Sequence, residues 1–215
     1  MLPRYSSQHG NNVSVRTLVV ALVLSFAISA HAEPRLRVLF IGNSLTYTND
    51  LPATFKRIAA ADGRRVITEM VALPNFSLGD HLDGGVPKAL REKWDFVVLQ
   101  QGPSSMEDSR RLLIRDVKAF AALIQPPARI AILMSWPPRE RWGALPRVAE
   151  SHRLAAEAVG GVLIPGGTAL EEALQREPRM VLFAEDGFHP SAAGTMVVAL
   201  AVYEALMQRE SRPSP

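Results

Sequence analysis

The sequence predicts an α/β protein, a three-layer α/β/α sandwich around a mainly parallel sheet of five strands. Three observations lead there. Short β-branched or aliphatic runs alternate with longer amphipathic stretches, the pattern of successive β-α-β units. Five such runs occur, which suits one sheet, and neither an internal repeat nor a linker interrupts them.

The expected strands are Arg37 to Ile41, Arg65 to Ala72, Phe96 to Leu99, Ile130 to Ser135 and Val162 to Ile164. After the first of them, Leu51, Phe55, Ile58 and Ala61 fall at helical spacing, with Pro52 suited to a first turn and Gly63 to a stop. Further helices are expected over Val86 to Glu92, Ser109 to Ile124, Val148 to Val159, Thr168 to Gln175 and Ala193 to Met207. Gln208 to Pro215 reads as a frayed polar tail. The proline-rich segment from Trp136 to Pro146 is long for a connection, and is either a loop over the active site or a solvated excursion that touches no substrate.

The first 32 residues differ from the rest. Their only charged side chains are Arg4 and Arg16, an apolar run extends from Thr17 to Ile28, and Ala30-His31-Ala32 offers a small-x-small cleavage site. This is the layout of a secretory signal peptide, because the apolar run is well short of the ~20 residues that a membrane span needs. Residues 1–32 are therefore expected to be a signal peptide and 33–215 the mature, exported domain, periplasmic or secreted. Removing two arginines from 24 basic residues leaves 22 against 21 acidic ones, so the basic balance is no argument for a nucleic-acid partner. The 47% hydrophobic and 21% charged content is that of a soluble globular domain and excludes disordered and fibrous classes. With no cysteine, disulfides, a thiol nucleophile and a cysteine-bound metal are all excluded.

In an open α/β sheet, ligands gather beyond the carboxyl ends of the strands, where loops converge and helices begin. The first strand runs directly into Gly42-Asn43-Ser44-Leu45-Thr46, which places a serine hydroxyl at that edge with its backbone N–H free to face an oxyanion. Gly-Asn-Ser is also an ordinary turn sequence. Near the other end, Asp186-Gly187-Phe188-His189-Pro190-Ser191 precedes an alanine-rich helix. A spacing of three on a tight turn lets Asp186 accept from one ring nitrogen of His189 and leave the other facing outward as a base. Asp186 as a simple helix cap and His189 as a surface residue is the bland alternative.

The two motifs together, in this order, resemble the SGNH (GDSL-like) hydrolase superfamily, whose first block carries a nucleophilic serine and whose last is Asp-x-x-His. The resemblance spans the mature chain but rests on short blocks, of which the Asp-Gly-x-His-Pro-Ser segment followed by Gly194 is the more specific. It implies a flavodoxin-like sandwich and an exported serine esterase that acts through an acyl-enzyme, without metal or organic cofactor, on a small-molecule or carbohydrate ester. Ser44, Asp186 and His189 take the catalytic roles.

Two middle blocks depart from the family pattern. Where a glycine N–H usually joins the oxyanion hole, this chain has Pro74-Asn75-Phe76, and asparagine is the residue that best replaces glycine in a left-handed conformation. Where Gly-x-Asn-Asp is usual, it has Gln100-Gln101-Gly102-Pro103-Ser104, similar to a Gln-Gly-x-Ser variant of some acetylesterase relatives. The expected donors are therefore the Ser44 and Asn75 N–H groups and the Gln101 amide, with Ser104 as second choice and Gln100 as third. The same blocks are compatible with an acyltransferase acting on a sugar hydroxyl, or with a non-catalytic polysaccharide-binding relative.

Other residues draw less specific readings. His81 and His152 lack neighbouring ligands at productive spacing and read as structural residues on polar helix faces. Arg110, Arg111 and the arginines from Arg139 to Arg147 read as solvated faces, and Gly160-Gly161 and Gly166-Gly167 as turns.

Overall fold

The structure, a computed structural model, describes residues 35–84 and 86–210. Residues 1–32, expected to be a signal peptide, and the last five residues of the polar tail lie outside the described residues. Five parallel strands form one sheet: β1 (Leu36–Gly42), β2 (Val66–Ala72), β3 (Phe96–Leu99), β4 (Arg129–Leu133) and β5 (Val162–Ile164), in the order β2-β1-β3-β4-β5. The helices are α1 (Ser44–Tyr47), α2 (Leu51–Ala61), α3 (Leu78–Gly84), α4 (Glu107–Leu123), α5 (Leu145–Glu157), α6 (Gly166–Arg176) and α7 (Ala192–Glu210). This is the expected α/β sandwich, with the flavodoxin-like strand order.

Alternation along the central strand divides the core. Val38 and Phe40 face one layer, packing with Phe55 of α2 and Val202 of α7, while Leu39 and Ile41 face the other, with Val117 and Phe120 of α4. Both faces of β1 and β3 are covered, which is why these strands read as almost unbroken apolar runs. The chain leaves β1 toward β2 on one side and returns to β3 on the other, so the loops after β1 and β3 diverge and open a crevice.

Several expectations need correction. Residues 86–92 were expected to form an α-helix, but Val86–Arg91 is a 3-10 turn, and a short helix that the sequence reading lacks, α3, precedes it. The strand expected over Ile130 to Ser135 ends at Leu133, after which Met134 N bonds to Ile164 O at 2.9 Å. His81 and His152 lie on buried faces, at 1% and 0% exposure, not on polar ones. Desolvation pushes His152 down to about 4, opposed by its bond to the Val148 carbonyl.

The Trp136 to Pro146 segment fits neither of its expected readings. Trp136 is buried, and its Nε1 donates to Phe188 O at 2.9 Å; Arg139 N donates to Gly187 O at 3.0 Å. Trp142 meets Phe183 edge-on at 5.5 Å. The segment, which contains a 3-10 helix over Arg139–Ala144 and runs into the first turn of α5, is a buttress behind the 184–189 loop, and Pro146 suits that first helical turn.

At the far end of the same loop, a Cβ on Gly194 would overlap the carbonyl oxygen of Leu182. Only glycine lets the first turn of α7 approach this closely. Gly194→Ala is expected to cost about 2 kcal/mol or more, as overpacking against backbone does, and urea unfolding followed by circular dichroism measures it.

Candidate active site

Gly42 ends β1, and Asn43 caps α1 by accepting from Leu45 N at 3.2 Å. Ser44 is thus the first residue of a short helix, where its own N–H has no intrahelical acceptor. The turn is clamped from below by Gln100, a buried residue at the end of β3. Gln100 Oε1 accepts from Asn43 N at 3.0 Å and from Thr46 Oγ1 at 2.8 Å, and its Nε2 donates to Gln101 O at 2.8 Å. A Cβ on Gly42 would fall 2.5 Å from that same Oε1, so glycine is required for the clamp to close.

The loop after Phe183 turns back on itself before α7. Ala184 N bonds to His189 O at 2.8 Å, Gly187 N bonds to Ala184 O at 3.0 Å, and Gly187 adopts φ +66°, a conformation that glycine alone takes without strain. Inside this turn Asp186 Oδ1 accepts from the N–H groups of Phe188 and His189, both at 2.9 Å, and Oδ2 lies 2.5 Å from His189 Nδ1. His189 Nε2 lies 2.9 Å from Ser44 Oγ. Residues 145 positions apart in the chain therefore meet in one hydrogen-bonded line, Ser44-His189-Asp186. Such a line can draw a proton from the hydroxyl and hold the resulting imidazolium against a carboxylate.

The expected oxyanion donors lie beside it. Asn75 has φ +60° in a turn after β2 closed by Phe76 N to Leu73 O at 3.3 Å, with Pro74 before it. A turn with proline second and a left-handed third residue presents that third N–H outward. Gln101 is 6% exposed; its Oε1 accepts from Leu78 N at 3.1 Å and its Nε2 donates to Ser104 Oγ at 3.1 Å, leaving a second N–H on the amide. Ser44, Asn75, Gln101 and Ser104 all line one cleft of about 430 Å³.

The alternatives are less suited. Ser104 Oγ spends its proton on Gly102 O at 3.1 Å, and Gln100 is turned inward with both ends of its amide engaged. The sequence reading took His81 as structural but not as a support of the site, where its Nε2 lies 2.7 Å from the Gly42 carbonyl. Its signal was present, since a histidine one turn into a helix behind the Asn75 loop is placed to reach the first strand's end, but that helix was itself unforeseen.

The comparisons agree with this architecture. No family model and no curated protein matches the chain. Among solved structures, a protein described as an SGNH hydrolase from Slackia heliotrinireducens superposes with a TM-score of 0.67 at 28% identity, over 80% of this chain and all of that one. A lipase/acylhydrolase from Enterococcus faecalis gives 0.66 at 17% identity over 81% and 96% of the two chains, and an acetyl-xylooligosaccharide esterase (Axe2) from Geobacillus gives 0.63 at 16% over 80% and 94%. The last two share the fold.

The hydrogen bonds from the His189 ring, from the Phe188 N–H and from the His189 N–H hold Asp186 below its ordinary 3.8, at about 2. A carboxylate lowered in this way stabilises the native state above its unfolded value and loses that contribution as the pH falls through its folded one. Urea unfolding of the wild type and Asp186→Asn is therefore expected to show a wild-type advantage at neutral pH that fades as the pH falls from 3.8 toward 2. An advantage that already fades near pH 6 points to a different group.

Proposed function

We propose that the chain, which resembles SGNH hydrolases in fold, is a hydrolase of that superfamily, and specifically an exported serine esterase that removes a small acyl group from a polar alcohol. One observation carries this reading: the Ser44-His189-Asp186 line opens onto a cleft that also holds the Asn75 and Gln101 donors.

In the reaction proposed, His189 Nε2 takes the Ser44 proton as Oγ attacks the ester carbonyl carbon. The charge that develops on the carbonyl oxygen meets the N–H groups of Ser44 and Asn75 and the free amide N–H of Gln101. His189 then passes its proton to the alcohol oxygen as the C–O bond breaks, leaving the acyl group on Ser44. Water enters, gives a proton to His189 and attacks the acyl carbon; that proton returns to Ser44 as the acid departs. Asp186 holds the Nδ1–H tautomer throughout, so the outward nitrogen is always the one that exchanges protons.

A small acyl group suits the modest cleft, whose lining mixes polar side chains with Phe76, Pro103, Leu112 and Phe188. The Geobacillus neighbour, described as an acetyl-xylooligosaccharide esterase, points the same way. Export rests on the apolar run and the Ala30-His31-Ala32 site, and among the described residues no helix is long and apolar enough to cross a membrane.

Ser44→Ala is expected to lower kcat/KM on an acetyl ester by roughly 10⁴-fold or more and to abolish labelling by an organophosphonate, since members of such a line act as one unit. Gln101→Ala is expected to lower kcat by roughly a hundred- to a thousandfold with a smaller change in KM, and Ser104→Ala by much less. Full turnover by folded Ser44→Ala protein overturns the reading. Intact-mass measurement of the exported protein is expected to place its N-terminus at Glu33.

A further inference from the structure

The cleft also holds a charged pair for which the reaction above has no use. Arg115 and Asp116 of α4 line it together, and among the described residues they are its only charged lining residues. Arg115 Nε donates to Asp116 Oδ1 at 2.7 Å; the Asp116 side chain is 4% exposed and that of Arg115 is 64% exposed. A Cβ on Gly79 of α3 would lie 3.1 Å from Asp116 Oδ2 and 3.5 Å from Arg115 Nη2, so the pair is pressed against the first turn of that helix.

Stability does not account for this arrangement. A buried carboxylate loses its hydration, and a partner that is mostly in solvent returns little of the loss. Asp116 sits between Leu113 and Val117 on a helix whose buried side chains are otherwise apolar. What the carboxylate does is hold one edge of the guanidinium. With Nε occupied, the flat group is held at the cleft wall with Asp83 as a further carboxylate in its surroundings, and among the described residues no hydrogen bond engages its two Nη atoms, which form a donor fork, the geometry that a carboxylate accepts at two points.

We propose that Arg115, held by Asp116, sets specificity by receiving a carboxylate carried on the alcohol half of the ester. The proposal rests on the esterase reading, which assigns a small acyl group to the substrate and so leaves the alcohol as the half able to carry charge. The substrate class is then an acylated hydroxy acid, such as an acylated acidic sugar, and Asp116 is a positioning residue that acts through Arg115.

The test compares acetyl esters of a neutral hexose and of the corresponding hexuronic acid on the same enzyme sample, so that any loss of folded protein cancels in the ratio. The wild type is expected to favour the acidic ester about tenfold in kcat/KM through KM, the size of one charge-assisted contact at a partly exposed site. Arg115→Gln is expected to bring the ratio near one, Arg115→Lys to keep part of it and Asp116→Asn to reduce it. Added salt is expected to lower the wild-type preference. A wild type without preference, or an Arg115→Gln enzyme that keeps it, overturns the proposal. Failure of the esterase reading looks different, since neither ester is then cleaved in a Ser44-dependent way.

Discussion

The carboxamide of Gln100 is the interaction on which the rest of the site depends. It lies beneath the turn that carries Ser44, and a buried amide must satisfy both of its ends, because an unpaired polar group away from water is costly. It does so by accepting from Asn43 N and Thr46 Oγ1 and donating to Gln101 O. One side chain thus ties the loop after β1 to the loop after β3. Gly42 follows from this clamp, because any side chain there would strike it. The outward direction of Gln101 follows too, since its carbonyl is already held from within. Divergence of the two loops at the sheet's switch point opens the crevice, and the clamp keeps the crevice from widening.

The histidine side of the site is held by different means. Its loop has few apolar residues to bury, so hydrogen bonds from four directions fix it. Trp136 and Arg139 reach it from the proline-rich segment. Asn49, itself in a left-handed conformation, donates to Pro190 O at 2.8 Å and to Thr195 Oγ1 at 3.0 Å. Ser191 Oγ accepts from Gly194 N at 3.1 Å and caps the helix behind. The Asn49 bonds matter most for alignment, because they join the segment just after Ser44 to the segment just after His189. A distance of 2.9 Å between Ser44 and His189 is set by such cross-links, not by the short motifs in which the two residues lie.

Much of the fold was legible in the residues. Phe96 to Leu99 and Val162 to Ile164 are strands with the expected bounds because they are short unbroken apolar runs, and Leu51 to Ala61 is a helix because its apolar residues recur at helical spacing before Gly63. The failures have physical causes. Residues 78–84, Leu-Gly-Asp-His-Leu-Asp-Gly, are rich in poor helix formers, and the helix exists because Leu78 and His81 are buried against the sheet. Pro87 and the brevity of the apolar pattern leave 86–91 as a 3-10 turn. Trp136 to Pro146 holds only a short 3-10 helix, too brief to show a period, and Trp136 and Arg139 find partners in the backbone of a loop some fifty residues away.

The sequence by itself determined the class of the fold and the types of residue available for chemistry. A serine after the first strand and Asp-x-x-His before the last helix are local features, and local spacing is enough to read them. The left-handed backbone at Asn75 was legible for the same reason, since it depends on the residue and its turn. The resemblance favoured Gln101 over Gln100 for the cleft, but tertiary structure decided what holds each, because the two are adjacent, chemically alike and both buried. Their difference arises from what surrounds them: Asn43 and Thr46 from another strand's loop hold one inward, while Leu78 and Ser104 leave the other a hydrogen facing outward. Arg115 and Asp116 were invisible for that reason too. On the helix they are two more charges in a charged stretch, and only burial beside Gly79 separates the carboxylate that holds from the guanidinium that is held.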